Sequence, residues 1–161
     1  MTVAEYNKSV EDYSDGIFRF ILKNLKNEEK AKDVVQDTYE KLWLKVEEVS
    51  AEKVKSYLFT AAYHTMIDVI RKEKRNTGFE TEKHDKPVNA ESYTGLSEIL
   101  EEAVSKLSAD QRSVIMLRDY EGYSYAEIAD FTGLTESQVK IYIFRGRMFL
   151  KNYIGSIEAV I

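Results

Sequence analysis

Two groups of cations are the side chains in this sequence that are best suited to binding chemistry. Residues 136–151 contain a single acid and four basic residues, namely Lys140, Arg145, Arg147 and Lys151. Earlier in the chain, four cations fall within five positions: Arg71, Lys72, Lys74 and Arg75. Clustered lysines and arginines bind phosphate groups, because the local field matters more than the net charge. Both groups therefore indicate nucleic-acid binding, although cations at a helix end also stabilise the helix dipole.

The sequence offers little that supports catalysis or metal binding. There are two histidines, His64 and His84, and no cysteine, which excludes disulfides and thiolate metal sites. His64 and Asp68 are four residues apart and share one helix face, but no third ligand accompanies them. Neither a G-x-x-x-x-G-K-[ST] phosphate loop nor a nucleophile elbow occurs. We predict no catalytic residue, no metal site and no cofactor.

Local signals place the C-terminal cations on the second helix of a helix-turn-helix. Ser124 and Glu127 have the S-x-x-E spacing of a capping box, and Thr135 and Gln138 repeat the device. Between them, Gly133 suits the left-handed backbone of a tight turn. A basic second helix in such a unit is typical of one that enters the major groove of DNA. The alternative interpretation is an ordinary helical hairpin with a solvated basic face.

Apolar periodicity predicts helices in the rest of the chain. Three are expected in the N-terminal part, over residues 3–25, from an Asn27 cap to about residue 49, and from about residue 53 to 75. Two more are expected over 96–106 and 108–120, the latter opened by a capping box of Ser108 and Gln111. Their order and lengths predict an all-α protein.

The second predicted helix has two distinct faces. Its apolar stripe includes Tyr39, Leu42 and Trp43, which are expected to be buried. Four polar residues fall together on another face: Asp33, Gln36, Asp37 and Glu40. A solvated surface is the usual role of such residues, and a binding surface is the alternative.

Composition suggests two small helical domains, 1–75 and 96–161, joined by a flexible linker over 76–95 that holds the single proline. No apolar run approaches membrane-spanning length and no leader peptide is evident, so we expect a cytoplasmic protein without membrane insertion. The net charge of −5 should make the free chain a weak DNA binder. A larger partner is therefore expected to carry it to DNA.

Two stretches resemble the sigma-70 family in the form of its small extracytoplasmic-function (ECF) group. The stretch KLSADQRSVIMLRDYEGYSYAEIADFTGLTESQVKIYIFRGR, over residues 106–147, is similar to region four of that family. The stretch AKDVVQDTYEKLW, over residues 31–43, and the later YLFTAAYHTMIDVIRKEKR, over 57–75, are similar to region two. The resemblance covers most of the chain outside 76–95 and the extreme ends.

The resemblance implies a subunit that gives RNA polymerase its promoter specificity. It implies polymerase-clamp contacts for Asp33, Gln36, Asp37 and Glu40. For the minus-ten promoter element, it implies contacts by Tyr57, His64, Arg71, Lys72, Lys74 and Arg75, with the 46–53 loop beside a flipped base. For the minus-thirty-five element, it implies contacts by Thr135, Ser137, Gln138, Lys140, Tyr142, Arg145, Arg147 and Lys151. The implied partners are core RNA polymerase, through its clamp and flap, promoter DNA and an anti-sigma factor.

This chain departs from the usual family pattern at several of these positions. Tyr63 and His64 stand where the family usually has Arg-Asn, and Ile141, Tyr142 and Phe144 stand where it usually has Ser, Arg and His. The last three either extend the packing of the helix or contact a thymine methyl group. Two other functions stay open: a stand-alone helix-turn-helix regulator that binds duplex DNA without polymerase, and an all-helical protein-interaction module.

Overall fold

In a computed structural model, which describes residues 1–77 and 95–160, the regular elements are helices, and the predicted all-α class is confirmed. The α-helices are α1 (Val3–Leu25), α2 (Glu28–Leu44), α3 (Val54–Thr77), α4 (Gly95–Ser105), α5 (Ala109–Ile115), α6 (Tyr125–Thr132) and α7 (Glu136–Val160). A short 3-10 turn, Ala51–Lys53, leads into α3. Most of the predicted linker lies outside the described residues.

Side-chain caps set the helix starts much as the spacing predicts. Asn27 accepts from the Lys30 amide at 2.9 Å and opens α2. Ser124 and Glu127 exchange the two hydrogen bonds of a capping box, at 3.0 and 3.1 Å, and open α6. At the start of α5 only half of the predicted capping box forms: the Ser108 hydroxyl accepts from the Gln111 amide at 3.2 Å, and the Gln111 side chain does not bond the Ser108 amide in return. Each cap satisfies amide donors that the first helical turn leaves unpaired.

The N-terminal region differs from the prediction around the end of α2. This helix ends at Leu44 instead of residue 49, because tight turns follow, in which the Lys45 and Glu48 amides each bond a carbonyl three residues back. Trp43 was predicted to be buried, and this is wrong: half of its surface is exposed. Its ring packs edge-on against Tyr6, with 5.1 Å between the ring centres.

The helix predicted over 108–120 is interrupted by a wider turn. After Ile115, residues Met116–Tyr120 wind as a π-helix, which the Glu121 amide closes with a 3.0 Å bond to the Met116 carbonyl. Such turns redirect the side chains that follow them on a helix. Here the turn carries Asp119, which accepts two hydrogen bonds from Arg147 of α7.

Helices α5 and α7 cross closely at a glycine. A Cβ atom built on Gly146 would lie 2.3 Å from Cδ1 of Ile115, a buried side chain. Ile143 and Val139, one and two turns earlier on α7, are buried on the same side. The crossing therefore determines which face of α7 points away from the protein.

Aromatic side chains join helices α1–α3 to helices α4–α7. Phe59 of α3 is 1% exposed, and its ring stacks on Phe131 of α6 at 4.8 Å between centres. Tyr123 meets both rings edge-on, at 5.2 and 5.3 Å, and Phe20 of α1 closes the group behind Phe59. The two helical groups thus share one continuous apolar core.

Polar contacts surround that aromatic group. The acid of each of three pairs belongs to the C-terminal group, and the cation or hydroxyl belongs to the N-terminal one: Arg19 with Glu121, Lys55 with Glu127, and Tyr63 with Asp110. Their donor–acceptor distances are 3.0, 2.9 and 2.8 Å. Acids of the segment 96–130, in which eight acids stand against three bases, therefore serve internal contacts.

Candidate nucleic-acid interface

The helix-turn-helix predicted from the spacing is present as α6, a turn and α7. Gly133 adopts φ +80°, the left-handed conformation expected of it, and its amide bonds the Ala129 carbonyl. Thr135 and Gln138 then exchange bonds of 2.9 and 3.0 Å, so the second capping box is confirmed. The Thr132 hydroxyl bonds the Ile128 carbonyl at 2.8 Å, which satisfies this buried polar group within its own helix.

The structure places the predicted minus-thirty-five residues around the exposed side of α7. Thr135, Ser137 and Gln138 are exposed at its start, and Tyr142 is half-buried farther along. The cations Lys140, Arg145 and Lys151 are exposed, and in the described part of the chain none of them forms an ion pair with a carboxylate. These three cations are available to a polyanion.

Arg147, by contrast, has an acidic partner within the protein. Its guanidinium donates to both carboxylate oxygens of Asp119, at 2.5 and 3.1 Å. This hydrogen-bonded pair raises the pKa of Arg147 and fixes α7 to the π-helical turn. Arg147 therefore has a structural role in this conformation, and nothing in the linear sequence pairs it with Asp119.

Helix α3 presents the predicted minus-ten residues on one face. At 100° per residue, Tyr57, His64, Arg71 and Arg75 lie within about 40° of one another. Three of them are exposed and Tyr57 is half-buried. Two further cations, Lys72 and Lys74, flank this face on opposite sides and are also exposed. These residues extend along about five turns of helix, and the exposed acid Asp68 lies among them, between His64 and Arg71.

A hollow lies at one end of this face. It has a volume of about 480 Å³ and lies between the 46–53 loop and the start of α3. Its lining residues are Glu48, Val49, Ser50, Lys53, Ser56 and Tyr57. The side chain of Tyr57 and the loop, which the resemblance implies to be neighbours of a flipped base, are therefore brought together around one cavity.

His64 and Tyr63, which depart from the usual family residues, have different surroundings. His64 is exposed, and its Nδ1 lies 2.9 Å from the carbonyl oxygen of Thr60. Within residues 1–77 and 95–160, no three metal-ligating side chains come together. Tyr63 is buried, and its hydroxyl donates a hydrogen bond to Asp110. Burial is the main reason that the pKa of this hydroxyl is raised, and the hydrogen bond to Asp110 raises it further. Tyr63 thus holds the two helical groups together.

The polar face of α2 borders an apolar groove that the sequence did not reveal. Asp33, Gln36 and Glu40 are exposed, while Asp37 is half-buried and pairs with Lys41 at 3.2 Å. The groove, of about 480 Å³, is lined by Tyr6, Gln36, Tyr39, Glu40, Trp43 and Leu44. The exposure of Trp43 was missed because its apolar character and helical spacing favour burial, and no exposure was predicted for Leu44 either.

No helix within the described ranges is long and apolar enough to cross a membrane.

Comparisons with known proteins agree with this arrangement of helices. Residues 9–76 match the family model for sigma-70 region 2, and residues 97–150 match that for sigma-70 region 4. The chain is 29% identical over 160 residues to the RNA polymerase sigma factor YlaC of Bacillus subtilis, covering 91% of this chain and 92% of that one. It is 31% identical over 137 residues to the ECF RNA polymerase sigma factor SigL of Mycobacterium tuberculosis, covering 81% and 77%.

A solved structure has a similar fold. The sigma factor RpoE of Bartonella quintana, crystallised with the anti-sigma factor NepR, superposes with a TM-score of 0.76. The two chains are 25% identical, and the match covers 95% of this chain and 98% of that one. The two family models together cover most of the sequence, and with the 31% identity to an ECF sigma factor they show that this chain belongs to the sigma-70 family, in its ECF group.

Proposed function

We propose that the chain acts as a promoter-specificity subunit: it binds core RNA polymerase, recognises promoter DNA and initiates transcription. The observation that carries this proposal is the presence, in one chain, of both sigma regions with a separate exposed surface on each. A stand-alone helix-turn-helix regulator does not require the sigma-70 region 2 that residues 9–76 match. A protein-interaction module does not require the exposed cations of α7, three of which have no carboxylate partner among the described residues.

The proposed activity is binding and not catalysis. DNA binding and polymerase binding take place in the cytoplasm, where transcription occurs. Because the sigma factor RpoE of the similar structure is held by an anti-sigma factor, we propose a partner of that kind here as well. The division into domains 1–75 and 96–161, with the linker 76–95 between them, also stays a proposal.

The polymerase contact is assigned to the polar face of α2 and its neighbouring groove. Glu40 and Gln36 lie at the edge of the groove, while Trp43 and Leu44 provide its apolar surface. Leu44 is 82% exposed and lies next to the half-exposed Trp43. Adjacent exposed apolar side chains of this size are typical of a surface that binds another protein. An acidic edge around an apolar centre suits a basic amphipathic helix, and charge pairing increases the rate of encounter. The partner that the resemblance implies for this face is the pair of basic coiled-coil helices of the polymerase clamp.

Run-off transcription with purified core polymerase tests both the function and this surface. We expect the parent chain to bind core polymerase and to support promoter-dependent transcripts. Glu40→Lys should weaken polymerase binding most at low salt, because screening weakens charge pairs. Leu44→Ala should weaken it by a factor that changes little with salt. Both side chains are exposed, so the fold should stay intact.

The matched control for charge reversal is Glu102→Lys, an exposed acid on α4. This variant should bind polymerase as the parent does. Unchanged affinity in both Glu40→Lys and Leu44→Ala would exclude this surface as the polymerase contact. Tight binding of the free chain to duplex DNA, with no polymerase bound, would favour the stand-alone regulator instead.

The α3 surface is assigned to the melted minus-ten strand. An unpaired base held in the hollow beside Tyr57 offsets the cost of unpairing, which is a few kcal/mol, and exposed cations hold the strand. Alanine at Arg71, Lys72, Lys74 and Arg75 should leave closed complexes formed but poorly opened. A pre-melted promoter should restore much of the transcription. Permanganate footprinting on duplex and pre-melted templates measures the opening directly.

The control for this experiment is the cation set of α7. Alanine at Lys140, Arg145 and Lys151 should reduce promoter occupancy, and should flatten its dependence on log salt by about 0.9 per lost phosphate contact. A pre-melted template should not restore occupancy in that variant. If the α3 variant opens duplex promoter as well as the parent, the assignment of melting to α3 is wrong.

A further inference from the structure

The exposed side of α7 carries an apolar line where a DNA-reading helix is expected to be polar. Phe144 is 64% exposed, Ile141 45% and Met148 41%. Packing within the protein therefore does not explain these side chains, whereas the half-buried Tyr142 does extend the packing of the helix. Of the two roles that the sequence left open for Ile141 and Phe144, contact with a partner remains.

This apolar line points directly away from the protein. Val139, Ile143 and Gly146 face the core. At 100° per residue, Ile141, Phe144 and Met148 all lie within about 50° of the direction opposite to those three. The apolar line is thus the part of α7 that would reach deepest into a groove.

Cations flank the line on both sides. Lys140 and Lys151 project from one side of it, and Arg145 from the other, at about 50–75° from its centre. All three are exposed and, within the described ranges, have no carboxylate partner. A helix with cations on both flanks fits a channel with anionic walls and an apolar feature on its floor.

The major groove of B-DNA is such a channel. It is about 12 Å wide and admits one α-helix, so the sides of the helix meet the two phosphate backbones while its outermost line meets the base edges. The only apolar group that base pairs present there is the C5 methyl of thymine. Ile141 and Phe144 are separated by a rise of about 4.5 Å along the helix, similar to the base-pair step of about 3.4 Å.

We propose that Ile141 and Phe144 form a thymine-methyl reader, so that this chain selects its upstream promoter element by methyl contacts more than by hydrogen bonds to base edges. The inference rests on the proposed function, because it requires α7 to enter the major groove. Lys140, Arg145 and Lys151 hold the backbone and add affinity without specificity. Met148, one turn farther along, lies beyond the first turns of the helix that contact base edges in this motif.

Uracil substitution tests the contribution of the methyl group alone. Deoxyuridine is identical to thymidine except that it lacks the C5 methyl group. The full chain and core polymerase are first combined into a holoenzyme. This holoenzyme is used to select the DNA duplexes that it binds from a fully randomised pool. Each thymine of the shared upstream element is then replaced singly by deoxyuridine, and affinity is measured by competition. We expect at least two positions at which the loss of one methyl weakens binding about fourfold.

Variants assign those positions to side chains. Phe144→Ala should weaken binding to the thymine duplex and should no longer distinguish uracil from thymine at one position, and Ile141→Ala should do the same at another. Both residues are exposed, so truncation should not unfold the protein. The matched control is Phe149→Ala, on the side of α7 and near Tyr153, which should keep the full sensitivity to uracil.

Each outcome bears on the proposal. Equal affinity for thymine and uracil at every position of a selected element overturns the methyl reader while leaving the sigma function intact. If Ile141→Ala and Phe144→Ala weaken the binding of core polymerase without DNA, the line is a protein contact and the proposal is wrong. If the holoenzyme retains no duplex at all, both the reader and the proposed function fail.

Discussion

Replacing Phe59 with alanine should lower the free energy of unfolding by about 3–5 kcal/mol and divide one unfolding transition into two. The ring is 1% exposed and stacks on Phe131 of α6, with Tyr123 against its edge. Alanine there leaves a cavity at the point where the two helical groups share their core. The groups should then lose most of their apolar coupling and unfold at different temperatures.

Calorimetry of the parent and the variant measures the number of transitions. The matched control is Leu42→Ala, a fully buried residue of α2, which packs against α1 and α3. That truncation should cost about 2–5 kcal/mol and lower the stability of the N-terminal group without separating it from the other. A single transition in Phe59→Ala, shifted but undivided, would contradict the proposed division into domains 1–75 and 96–161.

The second large effect is expected at the crossing of α5 and α7. Gly146→Ala places a Cβ atom 2.3 Å from Cδ1 of Ile115, much closer than two carbon atoms can approach. The side chain of Ile115 is buried and has little room to move, so overpacking should cost about 1–3 kcal/mol. Urea denaturation of the parent and the variant measures this loss.

Two further variants separate steric strain from other effects of the substitution. Ile115→Val removes the clashing Cδ1 atom, so the double variant should be more stable than the sum of the two single changes predicts. Gly155→Ala, on the same helix with open space at its Cβ, should instead be neutral or slightly stabilising, because alanine favours helix over glycine. If Gly146→Ala and Gly155→Ala lowered the free energy of unfolding equally, the clash with Ile115 would not be the cause.

Local interactions account for what the sequence predicted correctly. The capping pairs of Ser124 with Glu127 and of Thr135 with Gln138 join residues three apart, so their spacing alone specifies them. Likewise, the φ of +80° at Gly133 follows from the short turn between two capped helices. Such signals placed the helix-turn-helix and the start of α7 correctly.

Long-range contacts account for what the sequence did not reveal. Phe59 and Phe131 are 72 positions apart, and no pattern along the chain pairs them. The assignment of Trp43 to the core failed because apolar spacing identifies a stripe, whereas the neighbouring helices decide how much of it is covered. For the same reason, the ion pair of Arg147 with Asp119 required the three-dimensional arrangement.

The candidate site was predicted to different extents in its different parts. Residues that share a helix face by periodicity, such as Tyr57, His64 and Arg71, do share one in the structure. The hollow beside Tyr57 needed the folded loop, and the groove beside Glu40 needed Tyr6 of another helix. Which of these surfaces bind polymerase or DNA stays a prediction, which the variants above test.

The polar pairs between the two helical groups limit how this protein can be recombined with its relatives. Arg19, Lys55 and Tyr63 each depend on an acid contributed by the other half of the chain. A chimera that joins one half to the corresponding half of another sigma factor would leave these groups facing unmatched side chains. To transfer promoter preference between relatives, only the outward residues of α7 should therefore be exchanged. These residues take no part in the contacts between the two helical groups.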